Sequence, residues 1–256
     1  MHPRTIQLAG KEVRRVGLGT NRLTNTPVNA AFVKSAAAAG VGVFDTAHLY
    51  TGGDSEATIG AALGSSLPEG TVIATKGGYR PGEGRPDVLR SHIQESLRRL
   101  RSHRIELWYL HRVDPQTPLE QSLGVVREFV DSGQIGAVGL SNVDVAQIER
   151  ARKLVPIAAV QNEFNLSSRG REEVIDHCER EGIVFVPFFP LHGDRPALGS
   201  IARAHGVTET QIALAWLLHR SPAMLPIPGT LSLAHVEENL AALDVELTDE
   251  DYAALS

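Results

Sequence analysis

Eight short apolar runs, separated by amphipathic stretches, predict a (β/α)8 barrel for this 256-residue chain. The runs are 16–19, 41–44, 71–74, 105–110, 135–139, 158–160, 183–186 and 224–227. Bounded by turn residues and lacking alternation, they read as strands of a parallel sheet buried on both faces. Between them, Leu89, Ile93, Leu97 and Leu100 share one helical face, as do Leu119, Leu123, Val126 and Val130. Eight strand–helix units close most simply as a barrel; an open doubly wound sheet is the alternative and usually has fewer strands.

The opening segment is a separate element. Ile6-Gln7-Leu8 and Val13-Arg14-Arg15 flank Ala9-Gly10-Lys11-Glu12, which predicts a β-hairpin ahead of the barrel. No linker or low-complexity stretch interrupts the chain, so residues 1–256 are expected to form one barrel domain. The Arg80–Pro86 stretch, rich in Pro and Gly, reads as a loop.

Composition narrows the function classes. A net charge of -5 gives no electrostatic case for nucleic acid, and no run approaches the roughly 20 apolar residues needed to span a bilayer. Cys178 is the single cysteine, so no intrachain disulfide is expected. The first residues lack the apolar stretch of a secretory signal, and a cytoplasmic location is expected.

Chemistry-bearing residues follow the strands. Asp45 ends the second run and Tyr50 lies five residues on; Lys76 and His111 end the third and fourth. In parallel barrels such groups gather at the carboxyl ends of strands. A carboxylate, a phenol, an ammonium and an imidazole at one mouth can move a proton onto or off an oxygen.

Other patterns carry less. Gly17-Leu18-Gly19 lacks the third glycine of a dinucleotide fingerprint, since Arg22 stands there, and a tight turn is the better reading. The histidines show no metal-binding spacing, and none is expected to hold a metal. His2, His92, His103, His177, His205 and His219 read as surface or helix-face residues, and Cys178 as buried filler. The run from Arg98 to Arg104 lies at a helix end, where cations complement the dipole, and reads as a solvated face.

The flanks of these residues resemble the aldo-keto reductase superfamily, in a bacterial-type, short-loop form. Phe44-Asp45-Thr46-Ala47-His48-Leu49-Tyr50, with Gly52, Glu56 and Ile59-Gly60, looks like the family's first signature. Ala74-Thr75-Lys76, Glu106–His111, Val138–Asn142, Val160–Glu163 and Ile227–Thr230 match further motifs in order. The resemblance implies a (β/α)8 barrel reducing aldehydes or ketones with a nicotinamide cofactor. NADPH is expected, with NADH as the alternative.

Carried over, the resemblance makes Asp45, Tyr50, Lys76 and His111 the catalytic four, with Tyr50 as proton donor. An ammonium about 4 Å away at an effective dielectric near 20 is worth roughly 4 kcal/mol, or about three pKa units before desolvation opposes it. Lys76 would supply that charge, Asp45 would hold Lys76, and His111 would orient the carbonyl oxygen. The resemblance also puts Ser141, Asn142 and Gln161 on the nicotinamide carboxamide, Phe188 against its ring, and Thr20, Leu191 and Gly193 along the cofactor. Thr230, His235, Glu238 and Asn239 match the adenosine end. Gly229 and His235 occupy positions where many relatives carry Lys and Arg against the 2′-phosphate. A short segment after Leu191 implies an open, weakly selective pocket for a small-molecule carbonyl substrate. Two other classes stand beside this reading: a cofactor-sensing regulatory protein with little turnover, and an unrelated barrel enzyme with convergent residues.

Overall fold

The structure, a computed structural model, describes residues 3–64, 67–193 and 196–256; His2 lies outside them. The predicted hairpin is present, with β1 (Thr5–Leu8) antiparallel to β2 (Lys11–Arg14). Only Leu8 and Val13 of the hairpin are fully buried. They pack with Val43, Val72, Leu107 and Val184, so the hairpin plugs one end of the barrel interior.

The wall is a sheet of seven parallel strands in sequence order: β3 (Leu18–Gly19), β4 (Val43–Asp45), β5 (Val72–Gly77), β6 (Ile105–Leu110), β7 (Ile135–Ser141), β8 (Ile157–Glu163) and β9 (Val184–Phe188). Its side chains sort by parity. Val43, Val72, Ala74, Leu107 and Tyr109 join the interior cluster, while Phe44, Ile73, Trp108 and Leu110 pack outward with the helices. The helices are α1 (Pro27–Ala38), α2 (Asp54–Ala62), α3 (Pro86–Leu100), α4 (Leu119–Asp131), α5 (Val145–Arg152), α6 (Glu172–Glu181), α7 (Leu198–His205), α8 (Glu209–Arg220), α9 (Leu233–Ala241) and α10 (Asp249–Leu255). Leu89, Ile93, Leu97 and Leu100 of α3 are buried, as their spacing predicts.

The eighth predicted strand, 224–227, is reduced to two isolated parallel bridges, Phe185 with Met224 and Gly19 with Gly229. The reason is chemical: Pro226 and Pro228 have no amide hydrogen to donate. Their carbonyls still accept from Gly17 and Gly19 at 2.9 and 3.1 Å; on the other side Phe185 donates to the Ala223 carbonyl and accepts from Leu225, so the sheet closes into a barrel. This seam also corrects the reading of Gly17-Leu18-Gly19. A Cβ on Gly19 would stand 2.8 Å from the Ile227 carbonyl oxygen and one on Gly17 3.0 Å from that of Val43, so close backbone approach, not a turn, requires these glycines. Arg15 clamps the same seam from below. Fully buried, it donates to the carbonyls of Met224, Leu218, Ser221 and Pro3, and burial pushes its pKa down to about 10.

His177 and His92 lie on helix faces, as expected, but neither is fully exposed. His177 is buried on α6 with Nε2 3.2 Å from Glu149. His92 is half-buried and stacks on His48 at 4.0 Å. Cys178 is buried as expected, and burial raises its thiol to about 12. Among the described residues, no helix is long and apolar enough to cross a membrane, and no group of three or more His, Cys, Asp or Glu is placed to hold a metal.

Candidate active site

Strand parity brings three of the four singled-out residues together. Asp45 follows Val43 by two, Lys76 follows Ala74 by two, and His111 follows Tyr109 by two, so all three share the inward parity of the buried interior. β5 runs to Gly77 and β7 to Ser141, further than the apolar runs alone suggest, so the polar residues extend the wall itself. Tyr50 arrives differently, on a 3-10 turn leading into α2. Thr51 beside it is held at φ 48, a strained value for a β-branched residue. Its hydroxyl donates to the Leu23 carbonyl at 2.7 Å and accepts the Ser55 amide at 3.1 Å, which locks the turn and Tyr50 with it.

The polar centre is a single network. Lys76 Nζ, with no exposure, donates to Asp45 Oδ1 at 2.6 Å, to the Thr46 carbonyl at 2.7 Å and to Tyr50 Oη at 3.4 Å. Gln161 Nε2 donates to the other Asp45 oxygen at 2.7 Å, and Tyr109 is buried in the same interior cluster. Tyr109 fits because residue 139 is glycine; a Cβ there would lie 2.3 Å from the tyrosine ring. Burial works to lower the Lys76 pKa, but Asp45 and Tyr50 outweigh it and hold the ammonium above its ordinary value. Tyr50 is raised as well: desolvation exceeds the opposing pull of Lys76. The acidification expected from the ammonium is therefore absent in the resting site, and Tyr50 stands fully protonated.

His111 sits edge-on to Tyr50, ring centroids 6.1 Å apart. Burial, then Lys76 and Arg112, push its pKa down to about 2, so the imidazole is neutral. Its Nδ1 is buried without a hydrogen-bond partner among the described residues. Behind the site, Glu56 on α2 is buried, accepting from Thr75 at 2.6 Å and pairing with Arg99 at 3.2 Å. Arg99 also binds Glu95 and the His48 carbonyl, so this residue of the basic run braces the Tyr50 turn instead of facing solvent.

An open cavity of about 620 Å³ lies over this network, a size typical of small-molecule sites. Asp45, Tyr50, His111, Thr20, Ser141, Asn142, Gln161, Phe188 and Leu191 line it. The Thr20 hydroxyl turns away, to the Asp45 carbonyl at 2.8 Å and Ser55 at 2.9 Å. Asn142, at φ 59, donates to the His111 carbonyl and the Ser141 hydroxyl, which leaves its own amide oxygen without a partner among the described residues. Gly193, Thr230, His235, Glu238 and Asn239 do not line the cavity. Gly193 packs on Ser167, Thr230 and His235 pair with each other at 3.3 Å, Glu238 accepts from Thr208 at 2.6 Å, and Asn239 is buried against the barrel wall near Val16 and Leu18.

Sequence reading missed part of the wall. Arg22, Leu49, Tyr79, Arg112 and Phe189 also line the cavity, beside His192 of the Leu191-His192-Gly193 stretch that the resemblance gives to the pyrophosphate. Phe189 holds φ 52, stacks on His192 at 4.7 Å, and accepts from Asn165 at its carbonyl. Tyr79 and Arg112 stand three residues after Lys76 and one after His111, so their position beyond two strand ends was the available signal.

The lining fits a flat aromatic amide such as nicotinamide: Phe188 brings an aromatic ring, Asn142 an amide oxygen without a partner among the described residues and Ser141 a hydroxyl to the cavity that Tyr50 and His111 also line. The aldo/keto reductase family's sequence pattern matches residues 15–195 and 194–256. An uncharacterised oxidoreductase of Schizosaccharomyces pombe is 36% identical over 98% of this chain and 88% of its own length. Pyridoxine 4-dehydrogenase of Escherichia coli is 35% identical over 100% of this chain and 98% of its own. Among solved structures, a thermostable aldo-keto reductase bound to the inhibitor epalrestat superposes with a TM-score of 0.90 at 30% identity, covering 98% of each chain. An aldo-keto reductase of Klebsiella pneumoniae in complex with NADPH superposes with a TM-score of 0.88 at 28% identity, covering 100% of this chain and 94% of that one. Sequence and fold agree over nearly the full length, and the chain belongs to the aldo/keto reductase family.

Proposed function

We propose that this protein reduces an aldehyde or ketone to an alcohol, with Tyr50 donating the proton and NADPH as the cofactor. The single observation that carries the reading is the network Gln161–Asp45–Lys76–Tyr50, which ends on a neutral, partly accessible phenol beside a neutral imidazole. When bound, NADPH would supply a hydride to the carbonyl carbon, with Phe188, Ser141, Asn142 and Gln161 holding its nicotinamide. The complexes of Klebsiella pneumoniae relatives with NADP and with NADPH support that choice of cofactor.

This chain's own residues handle the oxygen. The carbonyl oxygen accepts from the Tyr50 hydroxyl and from an imidazole N–H of His111. As negative charge develops there, Tyr50 transfers its proton. The transfer is favourable even with a raised phenol pKa, because an alcohol is a far weaker acid than a phenol. The tyrosinate left behind lies 3.4 Å from the Lys76 ammonium, and that ion pair exists only after charge has formed. Asp45 fixes Lys76 in place. Thr230, Ser232 and His235, at the N-terminal end of α9, are the groups this reading gives to the adenosine phosphate, with Glu238 and Asn239 near the adenine.

The test is to mix purified protein with NADPH, or with NADH, and a panel of aldehydes and follow the near-ultraviolet absorbance of the reduced nicotinamide. Aldehyde-dependent loss of absorbance with alcohol formed is expected, faster with NADPH. Cofactor binding without turnover across the panel would instead favour a sensor.

A further inference from the structure

We propose that Arg112 reads a carboxylate on the substrate, so that the preferred substrates are carbonyl compounds carrying an acid group at their far end. This inference rests on the carbonyl-reductase reading and names the substrate class of that site. Arg112 directly follows His111 and lines the same cavity. Its guanidinium lies over the Tyr79 ring at 4.7 Å, and that ring meets the His111 imidazole at 4.8 Å. One aromatic ring therefore separates a fixed cation from the group that would orient the carbonyl.

The cation has no carboxylate of its own among the described residues. Its one side-chain hydrogen bond is a long contact of 3.5 Å to the Tyr79 hydroxyl. The acids on the loops that carry Arg112 and Tyr79 are engaged elsewhere. Asp114 takes the amides of Gly82 and Gln116 on one oxygen, and the Gly84 amide and Thr117 hydroxyl on the other. Glu83 takes the amides of Tyr79 and Arg80. Among the described residues, Asp45 is the one acidic residue lining the cavity, and Lys76 and Gln161 occupy its two oxygens. The other lining arginine among the described residues, Arg22, donates to the Gly229 carbonyl at 2.9 Å. The wall thus carries uncompensated positive charge at Arg112, on a stacked platform that pre-orients its planar fork for bidentate contact with a carboxylate. A substrate anion brings the missing partner.

The pair to compare is 3-formylbenzoate and its methyl ester, which share ring and aldehyde but differ in charge; the ester has the more electrophilic carbonyl, so electronics alone would favour it. In the wild-type protein, kcat/KM is expected to favour the carboxylate roughly tenfold, with the preference shrinking as salt rises. Arg112→Gln should bring the carboxylate-to-ester ratio to about one, and Arg112→Lys should restore part of it. The corresponding alcohols, 3-(hydroxymethyl)benzoate and its methyl ester, are titrated calorimetrically with and without NADP, which reads the charge preference with no turnover required. An ester preferred or equal in the wild type, or a ratio that Arg112→Gln leaves unchanged, overturns the proposal. Charge-selective binding of the alcohol that depends on Arg112, with neither aldehyde turned over, sinks the reductase reading and keeps Arg112 as an anion reader.

Discussion

His111 is the residue whose charge state most constrains the chemistry. Desolvation, with help from Lys76 and Arg112, pushes it to about 2, so it acts as a neutral donor and not as an acid. Tyr50 and Lys76 are both held above their ordinary values, the first by burial and the second by Asp45 and Tyr50 against burial. His111 and Lys76 then each keep one charge state between acid and mildly alkaline pH, and Tyr50 keeps its proton. For reduction, kcat/KM should stay level from about pH 5 to about pH 9 and fall only as Tyr50 loses its proton at higher pH. A stopped measurement of initial rates across that range checks this. An acidic limb near the ordinary histidine value of about 6.5 would mean that His111 titrates and that its role is misassigned.

At the scale of elements, the brace between α2, α3 and the Tyr50 turn has its own pH signature. His92 of α3 stacks on His48 and accepts the Gly78 amide at Nδ1, 3.3 Å away. Burial first, then His48, lower its pKa to about 4. Between about 4 and the ordinary 6.5, the unfolded chain binds a proton that the folded chain refuses. Stability therefore rises with pH through that window and is lost as pH falls through it. Allowing for the part-exposure of His92, this amounts to roughly 1 kcal/mol, or about 2–4 °C in Tm for a chain of this size. Thermal unfolding at pH 7 and pH 4.5 should show a larger drop for the wild type than for His92→Gln, which can still accept from Gly78 but cannot titrate. Equal drops would remove His92 from the account. This coupling was not readable in the sequence, because nothing in the spacing of His48 and His92 tells that a loop and a helix bring their rings together.

Across the whole molecule, what was legible follows from period and parity. Strand runs and inward parity locate Asp45, Lys76 and His111, because a parallel barrel wall buries both faces and leaves its polar residues at the mouth. The closing segment was misjudged as a full strand although Pro226 and Pro228 were visible, since its apolar content outweighed the missing donors. Gln161 was expected on the cofactor; its bond to Asp45 joins residues 116 apart, and only the barrel's curvature brings them together. Tyr79 and Arg112 sit on loops, where no periodicity marks a side chain's direction. Arg15, with no exposure and only carbonyl partners, would have read as one more surface cation.

The central claim is that Tyr50 is the proton donor of a carbonyl reduction, and the conservative Tyr50→Phe change tests it most directly. Cofactor affinity, read by quenching of intrinsic fluorescence, should be nearly unchanged, because one hydroxyl is removed and the ring remains. Single-turnover reduction of the best aldehyde should fall by about 10²- to 10⁴-fold, the usual contribution of a positioned general acid. Near-wild-type turnover with intact cofactor binding would contradict the account.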